Sequence, residues 1–236
     1  MDADRPIVVF CATVPWRKPA CDAMLRSIAE QTVKPDLTIL HLDGFTRDDP
    51  RTTVPDALPV EQRELWPRRG LGARWRSLSG DHAAAIVMGV DDDFVYAPNY
   101  VARTVQERRR FGGAVSWHGW GTDWSNVCFP YAPRAPTALL RLGTGFLCAR
   151  AADLIGIDRH PLADVFFNPK GHEEALVSFW FWKHGVKMTR PAGPAPLVRV
   201  HELAYDDRAT SKSFAQEKAA LRRKLYEDHG WPGGLR

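Results

Sequence analysis

No run of about 18 apolar residues occurs, so no segment reads as a helix that spans a bilayer. The 4 cysteines, Cys11, Cys21, Cys128 and Cys148, lie far apart and form no Cys-x-x-Cys pair. That argues against a zinc ribbon or a disulfide framework and fits reduced thiols, the expectation for a cytoplasmic protein. Internal repeats and low-complexity tracts are missing too, which sets aside solenoids, collagen and coiled coils. The start, Met1-Asp-Ala-Asp-Arg-Pro, is acidic and runs straight into Ile-Val-Val-Phe, unlike a secretory signal.

What remains is ordinary globular usage: 236 residues, 44% hydrophobic and 25% charged. A chain of this length can bury a sizeable core as one domain. Its formal net charge is +4 and its pI is near 9.0, with Arg gathered at 68–69, 74, 76, 108–110 and 222–223. Such a surface can meet nucleic acid, anionic lipid or a phosphate-bearing small molecule, and charge alone does not choose. No nucleic-acid recognition motif is present, so the expected partners exclude nucleic acid. The 9 Trp are many for this length.

Ile7-Val-Val-Phe-Cys11 reads as a buried strand, and residues 19–32 carry Met24, Leu25, Ile28 and Ala29 at helical spacing after Pro19. Leu37-Thr-Ile-Leu-His-Leu42 is a second strand, ended by the turn signal Asp43-Gly44. Strand, helix, strand is the unit of a parallel sheet. Residues 45–68 form a long polar connection with room for one short strand, and 73–80 are weakly helical. Further strands are expected at 83–90, 113–117, 144–149 and 198–201. Helices are expected at 100–110, 173–184 and 213–227. This alternation predicts an α/β fold with a mostly parallel central sheet flanked by helices.

Residues 83–90 end in Asp91-Asp92-Asp93. Three carboxylates at the end of a buried strand are costly unless something neutralises them. In open α/β sheets, ligands bind outside the carboxyl ends of strands. A hard divalent cation, Mg²⁺ or Mn²⁺, held by one or two carboxylates and completed by substrate phosphates, is a natural partner there. A solvated acidic turn ahead of the helix near Pro98 is the alternative.

The stretch Ile86-Val-Met-Gly-Val-Asp-Asp-Asp-Phe-Val-Tyr-Ala-Pro-Asn-Tyr-Val101 resembles the DXD region of family 2-like glycosyltransferases of the GT-A (Rossmann-like) fold. The resemblance runs in order over about residues 6–201. Cys11-Ala-Thr-Val-Pro-Trp-Arg17 resembles the family's first nucleotide-binding loop, with Thr13 and Arg17. His41-Leu-Asp-Gly44 resembles its second strand, whose Asp43 would meet the base or ribose, and Gly70-Leu-Gly-Ala-Arg74 the segment that brings a cation to the nucleotide. Arg141-Leu-Gly-Thr-Gly-Phe146, with Gly145, resembles the acceptor-side segment, and His172-Glu173-Glu174 the acidic motif that holds the catalytic base. The family usually shows Glu-Asp or Asp-Asp at that place.

The resemblance implies one catalytic domain over 1–236: a nucleotide- and metal-binding half at about 6–110, an acceptor half at 111–201, and a mobile segment with a terminal helix at 202–236. It implies metal-dependent, inverting transfer of a sugar from a nucleotide-sugar, UDP-sugars being favoured, to a hydroxyl acceptor. Asp91 and Asp92 would face the nucleotide, and Asp91, Asp93 and His201 the metal. Arg74 would meet the diphosphate. Glu174, with Glu173 second, would deprotonate the acceptor. Trp117, Trp120 and Trp124 fall where an acceptor pocket would be built, and aromatic faces stack on sugars as readily as they fill a core. The polar residues 205–213 read as a lid over bound donor. Peripheral membrane contact and oligomeric state stay open. A non-catalytic nucleotide- or glycan-binding module is the alternative from another class. A sugar nucleotidyltransferase is the alternative from the same fold, although Ala-Thr-Val-Pro-Trp-Arg-Lys-Pro stands where its Gly-rich signature belongs.

Overall fold

The computed structural model describes residues 5–65, 68–70, 72–121, 133–168, 172–199 and 212–234. Strand β1, Ile7–Thr13, is buried along its whole length, as a strand covered on both faces must be. Helix α1, Lys18–Ala29, starts with Pro19 in its first turn and buries Met24, Leu25 and Ile28. Strands β2, Leu37–Asp43, and β3, Val60–Leu65, follow, then the single-turn helix α2, Ala73–Arg76, and strand β4, Ile86–Gly89.

Next come β5, Phe94–Tyr96, helix α3, Tyr100–Phe111, and strands β6, Ala114–Ser116, β7, Gly119–Gly121, β8, Thr137–Leu142, and β9, Leu147–Arg150. The chain continues through helices α4, Ala163–Phe166, and α5, Glu173–Lys183, strands β10, Met188–Arg190, and β11, Leu197–Arg199, and helix α6, Lys212–His229.

Nine strands form one sheet in the order β3-β2-β1-β4-β9-β6-β10-β8-β7. Strands β8 and β9 run opposite to the other seven, so the sheet is mostly parallel. Side chains alternate across β1. Val8 and Phe10 point into a core with Val87, Trp75, Leu176, Phe179 and Leu225, while Val9 and Cys11 join Leu25, Ile28, Met88, Val105 and Trp117. Helices α4, α5 and α6 therefore cover one face and α1 and α3 the other.

The differences from the sequence reading are local. Residues 144–149 divide into a 3-10 turn, Thr144–Phe146, and β9. The strand at 83–90 shortens to β4, because residues 83–85 still turn out of the 3-10 element at Gly80–His82, with the Ala85 N–H donating to the His82 carbonyl. The final strand, β11, pairs with β5 in a separate two-stranded ribbon. No helix among the described residues is long and apolar enough to cross a membrane.

This topology brings the chemistry to one edge. Parallel β1, β2 and β4 end there with Thr13, Asp43 and the 91–93 triplet. Reversed β9 starts at the same edge after the 144–146 turn, because Met88 of β4 pairs with Cys148. Helix α5 begins there as well, since Glu173 reaches Arg74 and Thr144.

Candidate active site

The three aspartates face three ways. Asp92 points inward, 2% exposed, and accepts hydrogen bonds from Thr13 Oγ1 at 2.7 Å and Arg17 Nη1 at 2.9 Å. Burial pushes its carboxyl up, and Arg17 and Thr13 pull it back. Arg17 is held above its ordinary value by Asp92 even though burial works the other way. Thr13, Arg17 and Asp92 thus stitch the β1 loop to the β4 end. Asp91 and Asp93 flank this buried post and are both only partly buried.

Asp91 receives Arg74 on one oxygen, at 3.2 Å from both Nη1 and Nη2. Its carboxylate lies in the space that a Cβ on Gly145 would fill, so any side chain there would have to displace that carboxylate. The Tyr96 hydroxyl accepts the Asp91 N–H at 2.9 Å and fixes the backbone of the turn.

Arg74 is 1% exposed. It donates to the Val90 carbonyl at 3.0 Å, to Asp91, to Thr144 Oγ1 at 3.3 Å and, in a short contact, to Glu173 Oε1. Burial alone would lower its pKa, but Glu173 and Asp91 outweigh burial and raise it. Glu173 completes the knot: Thr144 Oγ1 donates to Oε1 at 2.7 Å and Trp75 Nε1 to Oε2 at 3.1 Å. The sequence reading has Arg74 against a diphosphate and Glu173 as the second base. In the structure the guanidinium is enclosed between two carboxylates, and both Glu173 oxygens accept hydrogen bonds. Glu174, with 26% of its side chain exposed, is the partner left open to the edge.

His172 stands just before α5, 3% exposed, with Nδ1 at 3.9 Å from Glu174 Oε2 and Nε2 at 3.1 Å from Arg222 of α6. Burial first, then Lys218, Arg141 and Arg222, hold it well below the ordinary histidine range. His118 is held neutral in the same way by burial, with Arg141 and Arg190 adding to it and Glu174 and Asp91 opposing. Its ring packs on Phe146 at 5.7 Å and edge-on to Trp120 at 5.4 Å.

Asp43 is also a structural post. The Arg69 and Gly70 amides donate to its two oxygens at 2.6 and 3.2 Å, and Arg68 Nε approaches at 3.3 Å. With 3% of its side chain exposed, it organises the 68–70 loop at the end of β2. Beyond it, Trp16 is 51% exposed and carries the Arg68 guanidinium 5.1 Å above its ring.

Of the three acceptor tryptophans, Trp117 is fully buried, donates to Thr104 Oγ1 at 2.9 Å and packs between Arg103 and Arg190. No sugar can stack on it, because its faces belong to the core. Trp120 is partly open and holds Arg141 at 3.6 Å over its ring. Trp124 and His201 lie outside the described residues, as does the lid segment from 205 to 211.

A hard cation bound through one or two carboxylates would have Asp91 and Asp93, the two partly buried members of the triplet, as its candidate holders. No three His, Cys, Asp or Glu side chains converge into a cage among the described residues. The sequence reading overlooked Trp75, Thr144 and Arg222 as members of this cluster. Thr144 lay inside the quoted Gly-rich segment, and Trp75 directly follows Arg74.

No protein-family model matches the chain, and no curated protein matches it by sequence. Solved structures do match by shape. TarS 1–349 from S. aureus, solved with UDP-GlcNAc, is 12% identical over 94% of this chain and 66% of its own, with a TM-score of 0.61. The mannosyltransferase PcManGT from Pyrobaculum calidifontis, solved with GDP-Man and Mn²⁺, is 19% identical over 99% of this chain and 68% of its own, with a TM-score of 0.62. The chain thus spans about two thirds of the length of these proteins. At such identities the likeness is one of architecture, and that architecture is the GT-A glycosyltransferase fold.

Proposed function

We propose that this protein is a nucleotide-sugar-dependent glycosyltransferase that works by metal-assisted, inverting displacement, with a UDP-sugar as the favoured donor. The observation that carries the reading is the Arg74 knot. One buried guanidinium ties the carboxylate at the end of β4 to the first turn of α5, holding Asp91 and Glu174 on the same edge.

In this reading the donor lies along the ends of β1, β2 and β4. Asp91 and Asp93 hold a divalent cation, which when bound would neutralise charge on the diphosphate as it leaves. Glu174 takes the proton from the acceptor hydroxyl while that oxygen bonds to the anomeric carbon and the diphosphate departs. Thr144, Trp75 and Arg74 fix Glu173, and so fix the first turn of α5 that presents Glu174. His172 and His118, both kept neutral, line that turn without competing for its proton. Trp120 offers the aromatic face on the acceptor side.

The test is nucleotide release from a panel of UDP- and GDP-sugars with Mn²⁺, with and without EDTA. Glu174→Gln should reduce transfer by about 10²–10⁴-fold and leave nucleotide affinity in place. Full transfer by that variant removes the base assignment. Undiminished activity of Asp91→Ala/Asp93→Ala protein, or of wild type in EDTA, removes the metal role.

A further inference from the structure

The edge of the sheet away from Asp91 holds a cavity of about 540 Å³, within the range of small-molecule sites. Strands β6 and β10 begin at this edge, and β9 ends there, since Arg150 pairs with Ile86 at the start of β4. Helices α3 and α5 run out there into Gly112 and Gly185, whose φ values of 72° and 67° suit glycine. A Cβ on either would meet nothing within 4 Å, so the rim around them is open. Helix α5 therefore carries Glu174 in its first turn and this cavity at its last, about 15 Å apart at the rise of an α-helix.

Its lining pairs aromatic carbon with both hydrogen-bond roles. Phe111, at the end of α3, and Trp180, half-buried on α5, supply the aromatic carbon. The indole is held in place: Nε1 donates to the Asp153 carbonyl at 2.9 Å, and the His184 ring packs on it with centroids 4.2 Å apart. Beside it Arg150 donates twice to the Asp153 carboxylate, from Nη2 at 2.7 Å and from Nε at 3.0 Å. Donor and acceptor thus stand side by side as a neutral pair. A lone anion at this wall would face Asp153, and a lone cation would face Arg150. A ligand with adjacent hydroxyls accepts from the one and donates to the other, while its C–H face rests on the indole. That combination is the chemistry of a sugar ring.

We infer that this cavity binds a saccharide, as a second and non-catalytic site at the far end of α5 from Glu174. What the site is for rests on the glycosyltransferase reading: one stretch of a polymeric acceptor held here raises the local concentration of the rest at the reacting edge. The binding itself does not need that reading. Ligand-observed NMR on the full-length, nucleotide-free protein tests it, with maltotriose, mannotriose and tri-N-acetylchitotriose as probes and with sorbitol and AMP as comparisons. At least one trisaccharide should bind tenfold or more tightly than sorbitol. Trp180→Leu removes the aromatic platform, and Ala152→Trp fills the mouth from an exposed position on the rim. Each should weaken that binding tenfold or more, with circular dichroism as the control for folding.

Wild type that prefers no trisaccharide over sorbitol overturns the inference. So does a preference that persists in folded Ala152→Trp protein, because the sugar is then held elsewhere. AMP binding that Ala152→Trp abolishes, with no trisaccharide bound, would make the cavity a nucleotide site and overturn it as well. Should Trp180→Leu unfold, Ala152→Trp alone decides. The two readings fail separately: a trisaccharide lost in Ala152→Trp, with no transfer from any nucleotide-sugar, removes the enzyme and keeps the site. Transfer with no trisaccharide preference does the reverse.

Discussion

Arg74→Met is the sharpest perturbation of the edge. Methionine keeps the unbranched stem but removes the guanidinium that now donates to Val90, Asp91, Thr144 and Glu173. Glu173, 7% exposed, would be left buried with only Thr144 and Trp75 as donors. Breaking a buried ion pair by removing one partner costs roughly 3–5 kcal/mol, most of it the penalty of the stranded charge. For a chain of this size, about 2–4 °C of Tm is lost per kcal/mol, which puts the shift at roughly 6–20 °C.

The origin of that loss is open to a cycle. Glu173→Gln removes the negative charge but keeps an oxygen for Thr144 Oγ1. In an Arg74→Met background it should therefore restore part of what the first substitution removed. Urea denaturation of wild type, both single variants and the double variant gives the coupling, expected at about 2 kcal/mol or more for groups in direct contact. The reasoning fails if Arg74→Met costs less than about 1 kcal/mol, or if the two losses simply add. Either result would mean that the guanidinium is not the group that compensates Glu173.

Two more perturbations probe the same edge. Gly145→Ala places a methyl on the Asp91 carboxylate. It should cost about 1–3 kcal/mol in stability. It should also weaken UDP binding in Mn²⁺ by tenfold or more, and calorimetry giving an unchanged affinity would show that the Asp91 position does not matter. His41 is fully buried between the Cys11 carbonyl, 3.1 Å from Nδ1, and the Ser77 hydroxyl, and burial lowers its pKa to about 4. Because the folded value lies below the unfolded one, stability is fully present above about pH 6.5 and falls as pH drops from there toward about 4. The loss from this residue is on the order of 3 kcal/mol. His41→Gln should flatten that slope, and equal slopes for the two proteins in urea melts at pH 7, 5.5 and 4.5 would refute the assignment.

The elements that could be read from the sequence are those that bury enough contiguous residues to show a period. β1 and β2 are seven residues each and almost wholly buried, and α1 and α3 carry apolar residues at helical spacing. β5, β7 and β10 are three residues each, shorter than any periodicity can register. Their pairing comes from neighbours distant in sequence, as when Thr189 of β10 meets Val115 of β6 and Ala138 of β8. Tryptophans show the same limit. Trp117 and Trp120 are alike in composition, yet one lies between Arg103 and Arg190 in the core and the other opens toward the edge.

For the site, the residue types were legible and their allegiances were not. Arg74 carries its charge in the sequence, but its partners sit 17 and 99 positions away, and only the folded sheet decides that they enclose it. Asp43 before Gly44 announced a turn, and the structure adds that its two oxygens capture the amides of Arg69 and Gly70. The Glu173-Glu174 pair shows how the ambiguity resolves. Successive residues on a helix point about 100° apart, so two adjacent carboxylates in one first turn cannot both face the sheet. Helix α5 is packed on the core through Leu176 and Phe179, residues three and six positions after Glu173. Glu173 is turned inward, 7% exposed, where an uncompensated charge would be prohibitive, and Arg74 is the compensation. Glu174 keeps 26% of its side chain exposed, and that difference in exposure is why the base role proposed above goes to it and not to its neighbour.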